Sequence, residues 1–133
     1  MQTVTIHGSN GECLVQFGRP GEFIRGRRVD VTVTSPENDT SGEISLAVRQ
    51  AMVGKTFSTV LTAEQVIEQC GSQFKGFFQP GTRLAYVHEV TQVLRDAGLN
   101  SEADQLEQIA PDSLDMYTFP KECYVLEEEA LVV

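Results

Sequence analysis

The sequence predicts an α+β fold: an antiparallel sheet built mostly from the N-terminal half plus a C-terminal strand, with about three helices packed on one face. Three observations predict it. Arg28–Thr34 alternate cleanly, with Val29, Val31 and Val33 on one side and Arg28, Asp30 and Thr32 on the other, as a half-buried antiparallel strand does. Further along, Leu84, Val87, Val90, Thr91, Leu94 and Ala97 recur at three- and four-residue steps, and Ala103, Leu106, Ile109 and Ala110 continue that period after Gly98. Short β-branched or apolar runs lie near both ends of the chain, at Thr3–Ile6, Cys13–Phe17 and Cys123–Leu126.

Thr3–Ile6 and Cys13–Phe17 read as a β-hairpin whose loop, His7–Gly11, is longer than two residues. Gly18–Gly21 breaks the chain, and Phe23–Arg27 leads into the alternating strand. Ser35–Gly42 is a polar loop. Residues 43–53 fit either period. Ile44, Ala47, Val48 and Ala51 suit a helix opened by Thr40 and Glu43 at capping-box spacing, whereas Ile44, Leu46 and Val48 suit a strand. Gly54 tips the reading towards helix. Phe57–Leu61 is a short extended piece, and Thr62–Gln65 is a capping box that opens a helix through Gln73, with Val66, Ile67 and Cys70 on its apolar side.

Residues 82–110 read as an αα-hairpin. Thr82 is the expected N-cap of a helix over 83–97. Gly98 suits a left-handed residue past its end, Asn100 or Ser101 caps the second helix, over 101–110, and Pro111 stops it. Asp112–Pro120 reads as irregular. The strand at 123–126 is expected to close the sheet and tie the termini together, with Leu131-Val132-Val133 as an extension or the edge of a homo-oligomer.

A chain of 133 residues fits one domain, residues 1–133, and 41% apolar and 22% charged residues are ordinary for a soluble protein. No apolar run approaches the ~18–20 residues that span a bilayer, so no membrane contact is expected, and the start of the chain lacks the features of a signal peptide. A cytoplasmic protein is the expectation. Cys13, Cys70 and Cys123 are odd in number and widely spaced, which suits reduced thiols and neither a disulfide framework nor a zinc motif.

The net charge of −9 lies entirely in residues 56–133, which hold thirteen acidic and four basic residues, while residues 1–55 balance six against six. That polarity disfavours direct nucleic-acid binding, which needs cations against phosphates, and suits a basic protein partner. Glu102, Asp104 and Glu107 lie on the outer side of the second hairpin helix, and Glu127-Glu128-Glu129 add acid after the last strand. The six carboxylates form a candidate partner-binding surface, able to meet arginines and lysines that normally meet nucleic acid. Glu102 and Asp104 also have a structural reason, since the first turn of a helix favours carboxylates. Solvated charge is the plainer reading of the whole acidic face. The expectation is an interaction protein, an inhibitor or adaptor, and a small acidic domain without motifs also fits one that a virus or mobile element encodes.

The alternative is a small-anion or nucleotide binder. Residues 18–28, GRPGEFIRGRR, combine three glycines with Arg19, Arg25, Arg27 and Arg28, which could offer N–H groups and guanidinium forks to a phosphate. The segment matches neither GxxxxGK[ST] nor GxGxxG, so a turn and a solvated basic strand explain it as well. No GxSxG, SxxK or EF-hand pattern is present, so the reading leans away from an enzyme and expects no catalytic residue, no cofactor and no metal. His7 and His88 are the two histidines, without HxxxH or HExxH spacing, so a zinc site would need an assembly of remote residues. His88 reads as a half-buried structural residue. The aromatic group Phe74, Phe77, Phe78 and Tyr86 reads as a plug between hairpin and sheet rather than a docking surface.

Overall fold

Alternation at 29–33 and helical period after Tyr86 divide the chain as expected into strands and a helical hairpin, in an α+β fold with four α-helices among the described residues. The computed structural model describes residues 2–8, 11–17, 28–36, 44–70, 80–111 and 115–126. β1 (Gln2–Gly8) and β2 (Gly11–Phe17) form the N-terminal antiparallel hairpin. The ladder runs on to Gly8 opposite Gly11, so two residues separate the strands rather than the expected longer loop, and His7 lies within β1.

β3 (Val29–Val33) buries Val31 and Val33 and exposes Asp30. It is the middle strand of a three-stranded antiparallel sheet, between β4 (Thr56–Thr59) and β8 (Tyr124–Leu126). The ambiguous segment 43–53 contains α1 (Leu46–Ala51). Its N-cap is Ser45, whose Oγ accepts from the Val48 N–H, while Thr40 and Glu43 lie outside the described residues. Ile44, Val48 and Met52, four residues apart, are each 2% exposed or less, and that spacing is what a strand could not bury together.

β5 (Leu61–Thr62) follows β4 after one residue, Val60, whose N–H donates to Leu84 O at 2.8 Å. One run of chain therefore leaves the first sheet and enters a second. The expected capping box opens α2 (Ala63–Cys70): Thr62 N–H donates to Gln65 Oε1 at 2.7 Å and Gln65 N–H to Thr62 Oγ1 at 3.2 Å.

The hairpin helix begins at Val87, not at 83. Arg83–Tyr86 is β6, paired antiparallel with β5 on one side and on the other with β7 (Met116–Phe119). Leu84 and Ala85 are consecutive and both fully buried, so β6 is covered on both faces and shows no alternation. β7 corrects the second expectation, an irregular 112–120. All four of its residues are buried, and it runs parallel to β1 and antiparallel to β6. The second sheet is thus mixed, in the order β2-β1-β7-β6-β5. β8 does not tie the termini together; it pairs with β3, and β7 holds the N-terminal strand. Cys123 ends a 3₁₀ turn, Lys121–Cys123, that links β7 to β8. Gly81, ahead of β6, has φ +82°, and a Cβ there would stand 2.7 Å from Lys121 Cδ.

α3 (Val87–Asp96) and α4 (Asn100–Ile109) complete the hairpin. Gly98, at φ +79°, donates to Arg95 O, and Leu99 N–H donates to Leu94 O, which is the paired bonding of a Schellman turn. The N-cap of α4 is Leu99, without a side-chain bond, so neither Asn100 nor Ser101 caps it. Both sheets share a core with α1, α3 and α4, including Val31, Val48, Phe57, Leu94, Leu106 and Phe119. The Phe57 and Phe119 rings stack at 5.2 Å, and Tyr117 meets Phe119 edge-on at 5.0 Å. α2 packs instead against β2 and β5.

Candidate functional site

Helical period gives α4 two unlike sides. Ala103 and Leu106 are fully buried, and the residue after each, Asp104 and Glu107, faces out. These two carboxylates are three residues apart, so they are neighbours on the helix surface. Arg95 reaches them from the last turn of α3. Its Nη2 donates to Asp104 Oδ1 at 2.7 Å and to Glu107 Oε2 at 2.8 Å. The Schellman turn sets this approach by fixing where α4 departs from α3. The hydrogen bond to Asp104, then that to Glu107, holds the Arg95 guanidinium above its ordinary range. Asp104 and Glu107 keep 61% and 48% of their side chains exposed, so water screens the cluster.

Glu102 is half-buried in the first turn of α4, where the helix dipole favours it. Asp96 accepts from Gln92 Nε2 at 2.8 Å on α3. The hairpin 87–109 therefore sets five carboxylates, Glu89, Asp96, Glu102, Asp104 and Glu107, against one arginine, Arg95. Glu127, Glu128 and Glu129 lie outside the described residues.

Of the four arginines of the Gly/Arg segment, Arg19, Arg25 and Arg27 lie outside the described residues. Arg28 is exposed, and its Nη1 donates to Glu89 Oε1 at 2.8 Å and to Ser58 Oγ at 3.0 Å. It thus fastens the edge of the three-stranded sheet to α3. An anion at Arg28 would compete with a carboxylate already in place.

Sequence reasoning missed Arg95 as the residue that gathers two of the candidate carboxylates. Its position three residues before Gly98 was the available signal, since a tight helix–helix turn brings the last turn of one helix against the next. It also missed the contact between His7 and Asp115. His7 is 1% exposed in β1, and its Nε2 lies 3.4 Å from Oδ2 of Asp115, itself 5% exposed. His88 is exposed rather than half-buried, with its ring 5.7 Å from that of Tyr86; Phe74, Phe77 and Phe78 lie outside the described residues. Cys123 is buried, 4% exposed. It lines a shallow recess with Ser35, Arg49, Met52 and Thr118 that has room for about one water molecule.

Among the described residues, no three His, Cys, Asp or Glu side chains cluster as a metal site, and no helix is long and apolar enough to cross a membrane. No protein-family model, curated protein or solved structure matches the chain.

Proposed function

We propose that this is a non-enzymatic interaction protein, an inhibitor or adaptor, that engages a basic protein surface through the outer side of α4. The observation that supports it is the pairing of exposed Asp104 and Glu107, one helical step apart, on an element whose other side is fully buried. Arg95 orders both carboxylates ahead of any encounter, which lowers the entropy lost when a partner's arginine or lysine arrives, but it also offsets part of the charge that the partner meets, the larger of the two effects. Glu102 belongs to the same helix and, on the sequence reading, Glu127–Glu129 extend the acidic surface. A field of this sign steers cationic surfaces inward and repels nucleic acid. The reading places the protein in the cytoplasm, where cysteine thiols stay reduced.

Affinity capture from cells of the source organism, with wild type beside a Glu102→Lys/Asp104→Asn/Glu107→Lys variant, tests the proposal. The expected result is a partner enriched in basic residues, released by salt, and bound at least roughly tenfold less by the variant. The melting temperature of the variant should stay close to that of wild type, because the three positions lie outside the core cluster. Undiminished capture by the folded variant overturns the reading.

A further inference from the structure

β2 ends the five-stranded sheet with seven residues, Gly11–Phe17. Among the described residues the other strands that end a sheet are shorter: four residues in β4, three in β8 and two in β5. No strand pairs with the outer side of β2 among the described residues. Edge strands are ordinarily kept from pairing with other chains by shortness, a bulge, a proline or a lysine. β2 uses none of these. Its seven register pairs with β1 run without a break, and GECLVQF contains no Pro, Lys or Arg.

The register fixes which backbone groups this edge offers. Two residues separate Gly8 from Gly11, so that closing pair is a hydrogen-bonded one. Antiparallel pairs alternate from there, which turns the N–H and C=O of Glu12, Leu14 and Gln16 away from β1. A second β2 running antiparallel beside the first engages all three residues only when Leu14 lies across from Leu14 of the second copy. Glu12 then lies across from Gln16 of the second copy, and Gln16 across from its Glu12. A slip of two residues either way loses one of these pairs, and a slip of one sets outward groups against inward ones. Charge agrees with the same register. Glu12 is the strand's one charged residue, and its position falls across from a neutral one. Residues 1–55 balance six acidic against six basic residues, so β2 belongs to the half of the chain without the net charge of −9 that would repel a second copy.

We infer that β2 is a docking edge for a second copy of this chain, paired antiparallel about Leu14, so that the two five-stranded sheets join into one continuous sheet.

Sedimentation of the full chain from about 1 µM to 1 mM, in about 0.15 M salt, tests the inference. The expected result is a reversible monomer–dimer equilibrium, with amide exchange at Glu12, Leu14 and Gln16 slowing as the dimer fills. Position 16 tests the register. Gln16→Glu sets like charges across from each other twice in the dimer and should weaken it by roughly fivefold, whereas Gln16→Lys sets opposite charges there and should tighten it by roughly the same factor. A dimer through another surface would not answer the two changes with opposite signs. Leu14→Pro removes an N–H that β1 does not use, and should leave the chain folded and monomeric. If that variant fails to fold, the two Gln16 variants carry the test. A chain that stays monomeric over the whole range overturns the proposal. So does a dimer that both Gln16 variants shift in one direction, or that neither shifts.

Discussion

Two carboxylate contacts in this chain use the same functional group to different ends. At the hairpin, Arg95, 31% exposed, holds the exposed Asp104 and Glu107 at 2.7 and 2.8 Å. At the sheet junction, Asp115 faces His7 at 3.4 Å with side chains 7% and 2% exposed. The better geometry belongs to the exposed contact, yet the buried one weighs more on stability. Water and salt screen the first and offer each partner an alternative when the other is removed. Nothing replaces a partner in the interior, where a polar group carries its whole desolvation cost. The difference separates binding from folding: the outer side of α4 can change its charge freely, and the sheet junction cannot. Arg28–Glu89 stands between them, with side chains 54% and 30% exposed and one buried carboxylate oxygen, Oε2, that makes no hydrogen bond among the described residues.

Breaking the buried contact has the largest expected effect. Asp115→Ala removes the carboxylate that faces His7 and leaves a void at the entry to β7. It should cost about 2–4 kcal/mol in urea-induced unfolding, with little change between low and high salt. A loss that disappears in high salt would move this contact into the exposed class and undo the contrast. The intermediate contact comes next. Glu89→Ala frees Arg28 into solvent and loosens α3 from β4, at a cost of about 1 kcal/mol, part of which should vanish with added salt. The same variant sharpens the reading of the Gly/Arg segment. If phosphate raises the melting temperature of Glu89→Ala and leaves wild type unmoved, Glu89 is what keeps an anion from Arg28.

The parts of the fold with one wet side were legible in the sequence. Val31 and Val33 alternate with Asp30 and Thr32 because only one face of β3 is buried, and the α3–α4 pair shows its period and its glycine for the same reason. β6 and β7 were not legible, because a central strand covered on both faces has no polar side to mark its period. Leu84 in β6 falls in step with the stripe of α3, so the strand looked like the start of that helix. Met116–Phe119 offers four buried residues with no alternation. The candidate site divides in the same way. That Asp104 and Glu107 face outward follows from the burial of Ala103 and Leu106, one position earlier in each case. That Arg95 joins them depends on the crossing of two helices, and that His7 meets Asp115 depends on a parallel strand pairing across 108 residues. Neither leaves a local trace.

The smallest expected effect gives the closest measure of the exposed contact. Arg95→Gln, Asp104→Asn and the pair together form a double-mutant cycle that isolates their coupling. Each single change should move the melting temperature by no more than about 2 °C. The coupling should fall further as salt rises, since Asp104 keeps 61% of its side chain in water. Because hydrogen bonding raises the Arg95 proton affinity in the folded state, its contribution is fully present below the unfolded arginine's range and is lost only as pH rises through the higher folded value. Across neutral pH the arginine therefore adds no slope to stability. A consequence for binding has the opposite sign to that for folding. Arg95 neutralises part of the charge that the proposed basic partner would meet, so Arg95→Gln leaves stability nearly unchanged and strengthens capture of that partner at low salt. Weaker capture would mean that Arg95 serves the interface by holding Asp104 and Glu107 in place, and that order counts for more there than charge.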